Sequence, residues 1–322
     1  MSSVSIVIPC FNARDWIRAT LESVFDQRSL DLQVIVVDDG STDGSGDLVS
    51  QWFPNVELVR MDNGGPSRAR NMGTRLARGQ FIQYLDADDL LAPDKLEGQV
   101  QALTASGADI AYGDWREFQS GPDTPCVPGR LVARRIEGHP EIALCTNFWC
   151  PPAAYLFRRS IVDDVGGWDE QQAVVEDVRF VLQCALRGAA FVYCPGVAAL
   201  YRTHTTDSQS TRDPEAFNRG CLRNAAMLED WWRRRAALTP TRVEALLKAY
   251  GYVARATFEC DASTFEAAYA AMDRLHPGYI PRHPWHLSLT SRLVGYRSAE
   301  AIGVRYRRTK QTFKQVVRTV RQ

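Results

Sequence analysis

The chain has 322 residues, of which 45% are hydrophobic and 24% charged, and its formal net charge is zero. A chain of this length and composition can bury a sizeable core, which excludes a disordered protein. No segment approaches the roughly twenty consecutive apolar residues that cross a bilayer. The eight cysteines form no C-x-x-C pair, and the N-terminus has no apolar run with a cleavage site. These features predict reduced thiols in a cytoplasmic protein.

The first hundred or so residues alternate apolar runs of strand length with stretches of helical period. This alternation predicts an α/β fold with a mostly parallel sheet flanked by helices. We predict strands over residues 4–8, 34–37, 56–58, 81–85 and 109–112. Helices are predicted over residues 16–25, 45–52 and 67–77, after residue 93, and over residues 176–187. Helical periodicity from residue 214 to residue 275 predicts a mainly helical C-terminal extension.

Acidic residues follow the fourth predicted strand, where an open parallel sheet binds its ligands. Asp86 and Asp88 are separated by one residue, so both carboxylates can hold one hard divalent cation and leave room for phosphate oxygens. An Asp-rich capped turn is the alternative interpretation. The third acid, Asp89, favours a cation, because crowded like charges are costly without one.

A second acidic segment, residues 38–43, follows the second strand. Asp43 is placed to cap the next helix, which leaves Asp39 to accept hydrogen bonds from a ligand. The glycines here do not form G-x-G-x-x-G, so a nicotinamide dehydrogenase is not expected. Residues 63–71 form a Gly-rich turn that opens a helix with Arg68 and Arg70; such a terminus suits phosphate, or is simply a solvated first turn.

Four ordered segments together resemble glycosyltransferase family 2, whose members have the Rossmann-type GT-A fold. They are residues 5–12 (SIVIPCFN), 36–43 (VVDDGSTD), 65–71 (GPSRARN) and 84–89 (YLDADD). The resemblance implies that residues 1–112 form the nucleotide-binding half of a domain. It further implies a set of nucleotide-sugar-binding residues: Pro9, Phe11, Asn12, Asp39, Arg70, Asp86 and Ala87. Asp86 and Asp88 would also hold Mn²⁺ or Mg²⁺.

The resemblance continues less tightly to about residue 210, over an acceptor half at residues 113–210. Trp168 and Asp169 match the acceptor region of the family. Glu176 and Asp177 match its acid pair, with Asp177 as the general base and Glu176 as the alternate. Without the resemblance, both are first-turn acids that face a helix dipole.

A late loop supplies one more candidate ligand. His204 matches a histidine that can complete the metal site, although a lone histidine is also a common structural or exposed residue. Cys10 is interpreted as a small residue at a strand end. Trp149 is interpreted as a packing residue or as part of the acceptor cleft.

The resemblance implies an inverting glycosyltransferase. Its donor would be a nucleoside-diphosphate sugar, a UDP-sugar first, and its acceptor a hydroxyl of a glycan or lipid-linked molecule in cell-surface polysaccharide synthesis. A metal-dependent phosphotransferase or nucleotidyltransferase is one alternative, although Leu90 breaks the D-x-D-x-[T/V] pattern of phosphatases. A non-catalytic carbohydrate-binding protein is the other.

Charge is distributed unevenly along the chain. From Arg292 onward the sequence contains nine basic residues and one acid, Glu300. We expect a helical extension at residues 211–290 and a basic amphipathic tail at residues 291–322. The tail either contacts an anionic membrane, at its inner face, or docks on the acidic body of the protein. Nucleic acid is not expected as a partner, because no binding motif accompanies the charge.

Overall fold

The computed structural model describes residues 3–27, 30–121, 126–203, 213–280 and 284–306. The chain divides into two compact units, Met1–Arg212 and Asp213–Gln322. The finer domain bounds at residues 112, 210 and 290 stay predictions.

The described residues of the first unit form nine strands. They are β1 (Ser3–Cys10), β2 (Asp31–Asp38), β3 (Glu57–Arg60), β4 (Phe81–Tyr84), β5 (Leu90–Leu91), β6 (Ile110–Gln119), β7 (Val127–Val132), β8 (Tyr155–Arg158) and β9 (Phe191–Arg202). Its helices are α1 (Ile17–Phe25), α2 (Ser45–Trp52), α3 (Pro66–Leu76), α4 (Lys95–Ser106), α5 (Pro140–Thr146), α6 (Arg159–Val165) and α7 (Glu176–Leu186). A short 3₁₀ turn, Pro152–Ala154, precedes β8.

The strands form one sheet in the order β3-β2-β1-β4-β8-β6-β9-β5, with β7 paired to β6. The first four strands in this order are parallel, as are β6 and β9, whereas β8, β5 and β7 pair antiparallel to their neighbours. β1 is apolar and buried along most of its length, as expected for a parallel strand covered on both faces. The predicted α/β fold class is confirmed.

Register places the informative loops at one edge of the sheet. Cys10 of β1 lies opposite Asp38 of β2, and Val7 lies opposite Tyr84 of β4. Because these strands are parallel, the segments that follow them leave the sheet on the same side. Leu90 of β5 pairs with Leu200 of β9, which ties the acidic loop after β4 to the end of β9.

The segment 126–150, for which the sequence predicts no motif, holds β7 and α5. β7 extends β6 as a mostly exposed hairpin strand. The loop after α5 carries Phe148 and Trp149 towards β6, where Phe148 contacts Tyr112 and Trp149 contacts Trp115.

The second unit is helical, as predicted. Its helices are α8 (Pro214–Arg234), α9 (Pro240–Thr257), α10 (Ala262–Leu275) and α11 (Trp285–Val294), and residues 296–306 are also helical. The side chains of Asp213, Thr239 and Asp261 each accept a backbone N–H at a helix N-terminus, which stabilises these ends. Among the described residues, no helix is both long enough and apolar enough to cross a membrane.

Candidate functional site

Two of the three carboxylates in the acidic loop after β4 are accessible to solvent. Asp86 and Asp88 are partly exposed, whereas Asp89 is 1% exposed. The side chain of Ala87 is buried and its carbonyl accepts from Thr20 Oγ1 at 2.9 Å, and its contact with the nucleotide sugar stays a prediction. The turn is therefore fixed on α1 and turns Asp86 and Asp88 outward.

Arg202 at the end of β9 locks this loop in place. Its backbone N–H donates to Asp89 Oδ1 at 2.8 Å and its Nε donates to the Asp88 carbonyl at 2.7 Å. Its guanidinium lies 4.4 Å from the ring centres of both Trp16 and Phe118. Burial, and then the charges of Asp88 and Asp86, raise the pKa of Asp89 well above its usual value. Asp89 is thus a structural acid.

Arg70 of α3 joins the acidic loop to the start of α7. Its Nη2 donates to Asp86 Oδ1 at 2.6 Å and its Nη1 donates to Glu176 Oε1 at 3.0 Å. The side chain is 3% exposed and stacks 4.3 Å from the Trp168 ring centre. Burial alone would lower the pKa of Arg70, but the two carboxylates outweigh it and raise the pKa. The predicted nucleotide-contacting arginine is a buried bridge between two acids.

The start of α7 carries the acid pair on a strained backbone. Val175, just before the helix, has φ of 63°, a left-handed conformation that is rare for a β-branched residue. Glu176 is 7% exposed and paired with Arg70, whereas Asp177 is partly exposed. Burial raises the pKa of both carboxyls.

A three-ring cluster lies beside Asp177. Trp149 Nε1 donates to Asp177 Oδ2 at 2.7 Å. The ring of Trp149 meets Trp115 and Tyr201 edge-on at 5.1 and 5.4 Å, and those two rings lie 5.5 Å apart. Burial, then the charges of Asp89, Asp86, Asp88 and Asp177, raise the pKa of Tyr201. Trp149 bonds Asp177 and meets Tyr201 of β9, the strand whose Arg202 holds the loop after β4, so that loop and Asp177 lie at one site.

Sequence reasoning missed the contact of Trp149 with Asp177. The two residues are 28 positions apart and belong to different elements, so no periodicity connects them. A conspicuous Trp in a segment without a motif was the available signal.

The loops after β1 and β2 hold each other. Asn12, with φ of 49°, accepts from Thr42 N–H through Oδ1 at 2.9 Å and donates its own N–H to Ser41 Oγ at 3.0 Å. Phe11 is 52% exposed, and Pro9 beside it is partly exposed. These residues form an accessible apolar rim at the sheet edge.

Asp39 differs from the expectation. It is 2% exposed, and its two carboxylate oxygens accept the N–H groups of Gly64 and Gly65, each at 2.8 Å. The carboxylate was expected to be available to a ligand. In the structure it is buried and its two bonds order the Gly-rich turn before α3, and its role in nucleotide binding stays a prediction.

The two residues predicted to lie in the acceptor region, Trp168 and Asp169, already have partners within the protein. Trp168 is 5% exposed and stacks on Phe180 at 4.4 Å, so its ring belongs to the core beneath Arg70. Asp169 accepts from Arg179 at 3.1 Å. Trp168 therefore cannot offer its face to an acceptor without repacking, because its large apolar area is already buried.

The described residues include only part of the predicted metal site. In the part of the chain that the structure covers, no three His, Cys, Asp or Glu side chains are grouped to hold a metal ion. His204, the third predicted ligand, lies outside the described residues. The carboxylates of Asp86 and Asp88 are the described candidates, and one oxygen of Asp86 is already bonded to Arg70.

The sequence model described as Glycosyl transferase family 2 matches residues 5–166, about half of the chain. The putative teichuronic acid biosynthesis glycosyltransferase TuaG of Bacillus subtilis (strain 168) is 39% identical over 113 residues, which cover 34% of this chain and 45% of TuaG. The chain spans about half or less of the length of the curated relatives it matches.

Two solved structures share the fold. S. aureus TarS 1-349 in complex with UDP-GlcNAc is 19% identical, with a TM-score of 0.69 over 96% of this chain and 92% of that chain. The mannosyltransferase PcManGT from Pyrobaculum calidifontis, in complex with GDP-Man and Mn²⁺, is 19% identical, with a TM-score of 0.51 over 93% of this chain and 86% of that chain. At these identities the likeness concerns the fold, and it agrees with the predicted GT-A-like architecture.

Proposed function

Since the chain belongs to glycosyl transferase family 2, we propose that it transfers a sugar from a nucleoside-diphosphate sugar to a hydroxyl of a glycan or lipid-linked acceptor. The donor is a UDP-sugar and the anomeric carbon inverts, as the resemblance implies. The solved complex of TarS with UDP-GlcNAc supports this donor class. The printed name of TuaG supports a role in the synthesis of a cell-surface polysaccharide.

One observation carries the proposal: Arg70 joins the acidic loop after β4 to the acid pair of α7. It contacts Asp86 on one side and Glu176 on the other, at 2.6 and 3.0 Å. Sugar transfer needs a group that handles the departing diphosphate and a group that handles the attacking hydroxyl, both fixed in one geometry. The bridge supports the proposal that Asp86 and Asp88 serve the donor side of one site and Asp177 its acceptor side.

Asp177 is the acid better suited to act as the base. Glu176 is buried and ion-paired with Arg70, which holds it in a structural role. Asp177 is partly exposed and accepts an indole N–H. In its ionised form it takes the proton of the attacking hydroxyl, an effect typically worth 10²–10⁴ in rate. Because burial raises its pKa, the ionised carboxylate is a stronger base than a free aspartate.

A divalent cation, Mn²⁺ or Mg²⁺, fits the acids of this loop. Asp86 and Asp88 offer partly exposed carboxylate oxygens on one turn, the donor type that hard cations prefer. Bound there, the cation would stabilise the charge of the departing nucleoside diphosphate. The Mn²⁺ in the solved complex of the mannosyltransferase with GDP-Man supports this proposal.

Calorimetric titration with UDP, GDP and dTDP, each with and without Mn²⁺, tests the donor side. We expect UDP to bind with Mn²⁺, and Asp88→Ala to weaken that binding at least tenfold. Asp47→Ala, a side chain 78% exposed on α2, is the matched control and should bind as the native protein does. Absence of binding to all three nucleotides would overturn the proposal.

The rival functions give different products. The family assignment does not favour a phosphotransferase or nucleotidyltransferase, which would transfer a phosphoryl or nucleotidyl group from the nucleotide. A carbohydrate-binding protein would bind the donor and leave it intact. Chromatographic analysis of the nucleotide after incubation with a UDP-sugar separates the three, since only sugar transfer or donor hydrolysis yields UDP.

Contact with an anionic membrane surface is proposed for the second unit. On α11 the side chains of Trp285, Leu289 and Leu293 recur every four residues and are 73%, 53% and 78% exposed. They form one apolar stripe, the pattern of a helix that lies in a bilayer interface. Glu300, the acid of this terminal region, is fully buried, so the exposed charge described here is basic. A lipid-linked acceptor and a place at the inner membrane face would follow.

A further inference from the structure

Trp149 touches the carboxylate that the proposed function assigns as the base. The contact is a hydrogen bond of 2.7 Å from the indole Nε1 to Asp177 Oδ2. We propose that Trp149 is a positioning residue that holds the Asp177 carboxylate in the orientation needed to take the proton of the acceptor. The inference rests on the proposed function, because it takes Asp177 as the base.

The indole is itself held by the sheet. Trp115 belongs to β6 and Tyr201 to β9, two strands whose long pairing includes these positions. Trp149 meets both rings edge-on, at 5.1 and 5.4 Å, an arrangement that aromatic pairs prefer and that stabilises the indole beyond burial. The direction of the indole N–H is therefore fixed by β6 and β9, whereas the carboxylate that it contacts belongs to α7. A donor fixed in this way can orient a side chain on another element.

The carboxylate is bonded at both oxygens. Oδ1 accepts the N–H of Val178 at 2.7 Å and Oδ2 accepts the indole N–H. Each carboxylate oxygen has a second lone pair, so a proton from the acceptor can still be received. An aspartate without the indole bond could rotate about its χ2 torsion and present either oxygen in several directions. Trp149 therefore orients the base and is not itself the base.

The indole also acts on the charge of the base. Burial raises the pKa of Asp177, and the hydrogen bond from Trp149 lowers it, because a donor stabilises the ionised form. Charged and titratable groups that face Asp177 come from its own helix and from neighbouring elements: Glu176, Arg70, Asp86, Cys150, Tyr155 and Tyr201. All of them remain when Trp149 alone is changed.

Trp149→Phe removes the donor and keeps an aromatic ring. UDP release from a UDP-sugar is measured against pH for the native protein and the variant, at one Mn²⁺ concentration. A base must be ionised, so the rate falls on the acid side of its pKa. Loss of the donor raises that pKa, so we expect the acid limb to move to higher pH and kcat on the plateau to fall about tenfold, with KM for the donor unchanged. Trp52→Phe, the same change at an exposed tryptophan of α2 outside the cluster, should leave the acid limb where it is.

The outcomes separate this inference from the proposed function. If Asp177→Asn keeps native activity, the assignment of the base fails and the proposal for Trp149 fails with it. If Asp177→Asn is inactive but Trp149→Phe keeps the native acid limb and kcat, only the positioning role is overturned. An equal shift in Trp52→Phe would also overturn it, because a loss of the donor to Asp177 would then not be needed for the effect.

A measurement on the native chain covers the case in which Trp149→Phe does not fold. In ¹⁵N-tryptophan-labelled protein, one indole N–H resonance should titrate with the pKa of the acid limb, and it should stop titrating in Asp177→Asn. If no indole resonance follows that pKa, the proposal is wrong.

Discussion

Arg70 holds two carboxylates from two different elements with one guanidinium. It contacts Asp86 after β4 and Glu176 at the start of α7, and it is almost completely buried. A planar fork with five donors suits this task, whereas a lysine ammonium would not span both partners. The electrostatic stability of the site depends on this one side chain, because Glu176 is also buried.

Replacing Arg70 should therefore be costly. We expect Arg70→Met to lower the free energy of unfolding by about 3–5 kcal/mol at neutral pH, since it leaves a buried carboxylate unpaired. Part of the loss should return at acidic pH, because Glu176 can then protonate. Denaturant unfolding at two pH values measures both effects.

Arg60→Met is the control for Arg70→Met. The Arg60 side chain is 55% exposed in its pair with Asp47. An exposed pair of this kind contributes about 0–1 kcal/mol, so the control should unfold much as the native protein does. Equal losses in the two variants would contradict the role given to Arg70.

Helix α3 reaches its place by close contact with the sheet. A Cβ atom at Gly73 would overlap Val7 Cγ1, so only glycine allows the helix to approach β1 this closely. Gly98 of α4 is also inside a helix, but a Cβ there would meet nothing within 4 Å. Replacing these two glycines by alanine should therefore have opposite effects on stability.

The pair gives a prediction with an internal control. Alanine is about 1 kcal/mol more favourable than glycine inside a helix, so Gly98→Ala should stabilise the protein by roughly that amount. Gly73→Ala gains the same propensity, but the overlap with Val7 should cost more and make the variant less stable than the native protein. Urea midpoints measure both; stabilisation by Gly73→Ala would show that the contact is not tight.

Helix α11 presents its apolar stripe on the second unit. We expect the protein to sediment with vesicles that contain anionic lipid and not with neutral phosphatidylcholine vesicles. The double change Trp285→Ser and Leu293→Ser should reduce this binding at least tenfold, because apolar contact and charge act together.

Tyr252→Ser is the control for the α11 stripe, since Tyr252 is 57% exposed on α9 and lies outside the stripe. Binding to neither vesicle would remove the membrane proposal. A protein that self-associates without lipid, through the same residues, would assign the stripe to a contact between copies.

At the scale of the whole molecule, local pattern predicted the strands and helices of the sheet edge, because each depends on a short run of residues. The acids after β4 were found in the same way, whereas those at the start of α7 were assigned from the family resemblance. The links between them were not: Arg70 and Glu176 are 106 residues apart, and their contact exists only in the folded chain. Burial of Asp39 and Trp168 likewise depends on neighbours distant in sequence, so both were expected to be more accessible than they are.

One site, built from the loop after β4 and the start of α7, is proposed to transfer sugar from a nucleotide donor. The most direct test is the release of UDP from a panel of UDP-sugars by the native protein and by Asp177→Asn, with Mn²⁺ present and with water taking the sugar where no other acceptor is supplied. The native protein should release UDP from at least one donor. Asp177→Asn should still bind UDP but release it at least 100-fold more slowly, the lower end of what a general base contributes. No release from any donor, or equal rates in the two proteins, would contradict the account.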